Sequence, residues 1–239
     1  MLIETHTAKT ERILSKKIRG LNHLKIFTYS DPKTMSVVFD IGLSGTYKTL
    51  NQFKAQGLVQ SHYFHEIKQN LWGITEKGVF DSWQDDEEIK PVRTFQPSRM
   101  SASHIQHELD IQSAYLSSVQ QNDWSNFIVG HDLKGRFDKR PDAIAIAPNG
   151  DRVPWEVERT IKSRKRICIL ISNYLQAIKR GEYAWVAYIS PDQKFAERLK
   201  RVFMSIKTIP VQDQQVAITE IHLSKFRFYA LQNWPNEPV

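Results

Sequence analysis

The sequence predicts a mixed α+β protein of two domains: a small helical domain closed by a β-hairpin, then an α/β domain. Three observations predict it. Helical and strand periods alternate over 21–84, and again over 103–229. Between them lies Asp85–Met100, DDEEIKPVRTFQPSRM, with four consecutive acids, Pro91 and Pro97, and no apolar period. Residues 85–100 therefore read as a linker between 1–84 and 101–239, and a chain of 239 residues can bury two modest cores.

In the first domain, Leu21–Phe27 predicts a short helix broken after Ser30-Asp31-Pro32. Thr34–Ile41 predicts a second, with Gly42 providing the turn. Ser44 is the expected N-cap of a third helix that runs to Gln56 and stops at Gly57. Its period places Tyr47, Leu50 and Phe53 on one side and Gly45, Lys48, Thr49, Gln52 and Gln56 on the other. Leu58–Phe64 and Leu71–Thr75, joined by a polar turn, predict a hairpin, and Glu76–Gln84 a closing helix. Three helices followed by a hairpin is the winged helix-turn-helix order, and SGTYKTLNQFKAQGLV followed by LWGITEKG resembles that superfamily. The resemblance implies that Lys48, Thr49 and Gln52 meet base edges and phosphates of double-stranded DNA. A protein-binding winged helix is the other use of this fold; Lys9, Arg12, Lys16, Lys17 and Arg19 favour DNA.

Bulk composition narrows the function classes. Charged residues at 25% and hydrophobic residues at 41% describe a folded soluble chain rather than a disordered one. A net charge of +7 points to a polyanionic partner. A single cysteine, Cys168, excludes an intrachain disulfide and any zinc site built on several thiolates; its apolar setting reads as a core thiol. No apolar run is long enough for membrane insertion, and Met1 to Lys17 lacks the apolar middle of a secretion signal, so the expected location is cytoplasmic. Trp72, Trp83, Trp124, Trp155 and Trp185 lie in apolar contexts and are expected in the core.

The second domain begins with a helix, Ser103–Val119, whose apolar stripe is Ile105, Leu109, Leu116 and Val119. A strand at Phe127–Val129, the basic stretch His131–Arg140, and two strands at Pro141–Ile146 and Val153–Glu158 follow. Next come a helix over Lys162–Arg180, a strand at Tyr183–Ile189, a helix at Gln193–Met204, and a final pair of short strands near Val216–Ile221 and Phe226–Tyr229. Such an order gives a sheet with helices on its faces.

Alternation along Val153–Glu158 sends Val153, Trp155 and Val157 to one side and Glu156 and Glu158 to the other. Asp142 opens the partner strand, so the three carboxylates can meet. Carboxylates held together repel unless a hard cation neutralises them, and Mg²⁺ or Mn²⁺ would do so while also binding a phosphate. The alternative is a set of surface charges on an exposed hairpin. The basic run Arg159, Lys162, Arg164, Lys165 and Arg166 favours the first reading, because cations at a helix start oppose its dipole and a phosphate backbone would compensate.

Pro141-Asp142, thirteen residues, then Glu156-Val157-Glu158 resembles a PD-(D/E)xK nuclease core, with Glu158 where that family has lysine. Taken with the winged helix, HELDI at His107–Ile111, EVERTIKS at Glu156–Ser163 and Asn173–Leu175, the chain is similar to the MobC-type plasmid mobilisation relaxases and, more distantly, to the replication-relaxation proteins. The resemblance implies metal-dependent, strand-specific nicking of DNA at an origin of transfer. It implies Asp142 and Glu156 as metal ligands, Glu108 as a further one, Glu158 as ligand or base, and Lys162 as the catalytic cation in place of the missing lysine. Arg159, Arg164 and Lys165 would line the DNA path. An accessory relaxosome protein and a coupling ATPase are the implied partners. The Glu158 departure keeps a second reading open, a DNA-binding regulator or accessory protein with a degenerate nuclease fold.

Overall fold

A computed structural model of the chain describes residues 6–84, 87–133, 140–212 and 214–239. Asp85, Asp86, Lys134–Lys139 and Asp213, and with them parts of the expected acidic block and basic stretch, lie outside the described residues. The chain is mixed α+β and forms two compact units, Met1–Leu109 and Asp110–Val239.

The first unit opens with α1 (His6–Phe27), β1 (Tyr29–Ser30), α2 (Pro32–Phe39) and α3 (Leu43–Ala55), followed by β2 (Val59–Phe64), β3 (Gln69–Ile74) and α4 (Glu76–Phe80). Helix α1 starts fifteen residues before the expected Leu21. Among its described side chains the leading half buries no stripe, with Ile13 57% and Leu14 55% exposed, so no period marked it. Asp31 caps α2, its carboxylate accepting from the Lys33 and Thr34 backbone N–H groups, with Pro32 in the first turn. The N-cap of α3 is Gly42 rather than Ser44. Consequently the buried residues are Thr46, Leu50 and Phe53, and Tyr47 is exposed. Spacings of four and three define the inner stripe here, and the Thr46 hydroxyl is accommodated inside by donating to the Gly42 carbonyl.

The hairpin turns near Lys68, which has a φ of 50°. Strand β3 is central, β1 and β2 flanking it antiparallel. Only two residues long, β1 has no readable alternation. The closing helix is five residues rather than nine, so Ser82 to Gln84 fall outside it. The expected linker is partly fastened to this unit. Phe95 is buried with Tyr29, Leu71, Ile105 and Leu109, its N–H donates to Ile74 O, and its carbonyl accepts from Gln60 Nε2. That apolar cluster is why the first unit extends to Leu109 instead of ending at 84.

α5 (Ala102–Tyr115) crosses from one unit to the next and continues as a π-helical turn, Leu116–Gln120. The second unit then carries β4 (Ser125–Val129), β5 (Ala143–Ile146), β6 (Arg152–Val157), α6 (Arg164–Lys179), β7 (Val186–Ser190), α7 (Gln193–Met204), β8 (Thr208–Val211), β9 (Gln214–Ala217), α8 (Glu220–Leu223) and β10 (Phe226–Ala230). The main sheet has the order β10-β7-β6-β5-β4. Its β4–β5 and β5–β6 pairs are antiparallel, its β6–β7 and β7–β10 pairs parallel. The two last strands expected as a pair go to different sheets: β9 pairs with β8, and β10 joins the main sheet beside β7. Parallel pairing needs a crossover, which α7 and α8 provide, and no local signal announces it.

Both faces of the sheet are buried. On one, Ile167, Ile171 and Tyr174 of α6 and Leu199 and Phe203 of α7 cover Ile144, Val186, Tyr188, Phe226 and Phe228. On the other, Trp155 packs against Trp124, Phe127 and Trp234, and Trp185 against Trp124. Trp234 also donates its indole N–H to Ala114 O. Of the tryptophans expected inside, Trp72, Trp124, Trp155 and Trp185 are buried; Trp83 is half-buried with Lys25 Nζ 4.4 Å over its ring. Cys168 is half-buried at the rim of the α6 core rather than within it.

Candidate functional site

Antiparallel register aligns Ala143 with Trp155, so one step on, Asp142 stands opposite Glu156. Parallel register then aligns Glu156 with Tyr188. Asp142, Glu156 and Tyr188 therefore form a row on the face covered by α6. The Asp142 carboxylate is fixed by the Val157 N–H at 2.8 Å, and its backbone by Trp155 O at 3.0 Å and Gly130 N–H at 2.7 Å. Glu156 is only 2% exposed, and the Tyr174 hydroxyl on α6 donates to its Oε1.

Both carboxylates act electrostatically on these phenols. Burial foremost, then the negative charges of Glu156 and Asp142, hold Tyr174 and Tyr188 well above the ordinary tyrosine value. Two carboxylates opposite one another on neighbouring strands offer oxygen donors of the type a hard cation takes.

Glu158, one pleat further along, is 7% exposed. It forms an ion pair with Lys162, the loop lysine before α6. Glu156 and Glu158 are thus both buried rather than solvent-facing. The helix α6 covers β6 because its Ile167, Ile171 and Tyr174 need burial as much as the strand does.

The expected DNA-path cations are largely occupied by the protein. Arg159 pairs with Asp110, and Arg164 donates to the Ser205 hydroxyl and carbonyl at the end of α7. These contacts lie at the start of α6, whose N-cap is Ser163. Lys165 and Arg166 stay exposed. In α3, Lys48 and Gln52 are exposed, whereas the Thr49 hydroxyl is engaged with Gly45 O at 3.0 Å.

Glu108 belongs to the first unit and to a different group. Among the described residues, His104, His107 and Glu108 are the group of three whose ligand atoms all lie within 4.8 Å of one another. Asp142, Glu156 and Glu158 do not form such a triple. The spacing His-x-x-His-Glu on a helix was the available signal, because i, i+3 and i+4 share a face.

No family model and no curated protein matches this chain. A solved structure that does match is a cysteine and histidine double mutant of Lactococcus lactis ZitR in its apo form, at 22% identity and a TM-score of 0.26. The match covers 32% of this chain, which spans 58% of that one, and a likeness this slight carries no argument. No described helix is long and apolar enough to cross a membrane.

Proposed function

We propose that the first unit is a winged-helix domain docking on DNA, and that the second is a PD-(D/E)xK-like domain that nicks one strand with Mg²⁺ or Mn²⁺. The site would be an origin of transfer, as the resemblance to plasmid mobilisation relaxases implies. The order leading helix, three antiparallel strands, crossover helix and parallel strand supports the nuclease-like fold. The observation that carries the chemistry is the facing pair Asp142 and Glu156, with Lys162 turned back onto Glu158 at the same strand end.

In this reading Asp142 and Glu156 would hold the cation, which would supply Lewis-acid chemistry at the scissile phosphate. The Val157 N–H and the Tyr174 hydroxyl keep the two carboxylates aimed together. Lys162 Nζ, with its charge balanced by Glu158, serves to orient the attacking water in place of the family lysine. Lys48 and Gln52 on α3 meet the duplex, and Lys165 adds a phosphate contact from the second unit.

A non-catalytic DNA-binding role has one observation in its favour: Glu156 is nearly sealed from solvent and already accepts from Tyr174. Nicking of a supercoiled plasmid carrying the protein's own origin region separates the two. Wild type, Asp142→Ala and Glu156→Ala are compared with Mg²⁺, Mn²⁺ and EDTA. Metal-dependent open circles, lost in both variants, are the expected result. Bound but uncut DNA establishes the non-catalytic reading.

A further inference from the structure

His104, His107 and Glu108 of α5 form a group with chemistry of its own. His104, His107 and Glu108 occupy positions i, i+3 and i+4, so one helical face carries two imidazoles and a carboxylate. Their ligand atoms lie within 4.8 Å of one another, and His104 Nε2 is 3.8 Å from Glu108 Oε1. A metal bound tetrahedrally at about 2.0–2.2 Å from each donor needs ligand atoms about 3.3–3.6 Å apart, so the three side chains would draw together by rotation on binding. Glu108 is 16% exposed in its side chain, while His104 at 57% leaves the group open to solvent on one side. Glu108 also bears on its surroundings. Burial first and Glu108 second hold the phenol of Tyr29 above its ordinary range.

We infer that His104, His107 and Glu108 form a binding site for a late first-row divalent cation, with Zn²⁺ as the representative and water in the fourth position. Two borderline nitrogen donors with one carboxylate select such ions over Mg²⁺ or Ca²⁺, which take oxygen shells. Three protein ligands leave a tetrahedral position open. All three ligands lie in the first two turns of α5, so the cation would staple the start of that helix, where Ile105 and Leu109 pack on Tyr29 and Phe95. Binding to the folded chain then raises its melting temperature by mass action. The inference does not depend on the nuclease reading, and neither outcome of the nicking assay bears on it.

The test is calorimetric titration of the full-length, tag-free protein with ZnCl₂, paired with the visible absorption of its Co²⁺ form. One Zn²⁺ per chain, a tetrahedral Co²⁺ band and a raised melting temperature are expected. His107→Ala and Glu108→Gln should each weaken binding by ~10-fold or more. His104→Asn, at the most exposed ligand, guards against a variant that fails to fold and should show the same loss. Absence of stoichiometric binding, or binding of equal strength in wild type and all three variants, overturns the assignment.

Discussion

The Tyr174 hydroxyl donates to the carboxylate of Glu156 within the face of the sheet that α6 closes. A carboxylate 2% exposed would be costly without donors, so this phenol belongs to the polar interior and is not only an apolar filler. It also ties α6, which covers the site, to the strand that carries it.

Tyr174→Phe removes that donor and leaves the ring in place. The expected cost is about 1–3 kcal/mol, the penalty of weakening a buried charge-assisted hydrogen bond. Urea unfolding followed by circular dichroism checks it. Combining Tyr174→Phe with Glu156→Gln should cost less than the two separate losses added together, because the pair interacts directly. Strict additivity would mean that the bond contributes nothing.

Alkaline pH should destabilise the fold. Tyr29, Tyr115, Tyr174, Tyr188 and Tyr229 are all raised, principally by burial, and Tyr183 is pushed up to about 12 for the same first reason. Unfolded, each ionises near 10. Below that value both states keep the proton and stability is intact; above it the unfolded chain binds fewer protons than the native one, so stability falls as pH rises through the folded values. Unfolding midpoints at pH 8 and pH 11 measure this, and absorbance at 295 nm should show the buried phenols ionising only as the chain unfolds. A midpoint that is level across that range contradicts the burial of these groups.

Gly130→Ala should disturb the site without touching a carboxylate. A Cβ there would lie 2.6 Å from Pro141 O and 2.8 Å from Asp142 O, and backbone cannot move aside as a side chain can. We expect about 1–3 kcal/mol of destabilisation from overpacking, with Asp142 displaced because its carbonyl accepts from the Gly130 N–H. A melting temperature equal to wild type would show that β4 and β5 have room to separate.

Local order was legible wherever a local physical rule acts. The β2–β3 hairpin, strands β5 and β6 and the apolar period of α6 all follow from turns and alternation, whereas Asp31-Pro32, expected only as a break before a helix at Thr34, caps and opens α2. The candidate carboxylates were legible as residues, since alternation puts Glu156 and Glu158 on one side of their strand and Asp142 opens its partner; the register that sets Asp142 opposite Glu156 came from the structure. The leading half of α1 and the two-residue β1 were not, because neither carries a periodic buried stripe.

The amino-acid sequence by itself determined the mixed α+β class, the β2–β3 and β5–β6 hairpins and the apolar period of α6, because these depend on neighbours in the chain. Only the tertiary structure decided that β10 lies beside β7, that the carboxylate face is sealed by Tyr174 and its helix, and that Arg159 and Arg164 are taken up by Asp110 and Ser205. Parallel pairing, burial on both faces and the choice of an ionic partner join residues tens of positions apart. Periodicity along a chain records which side of an element is apolar, but not what comes to cover it.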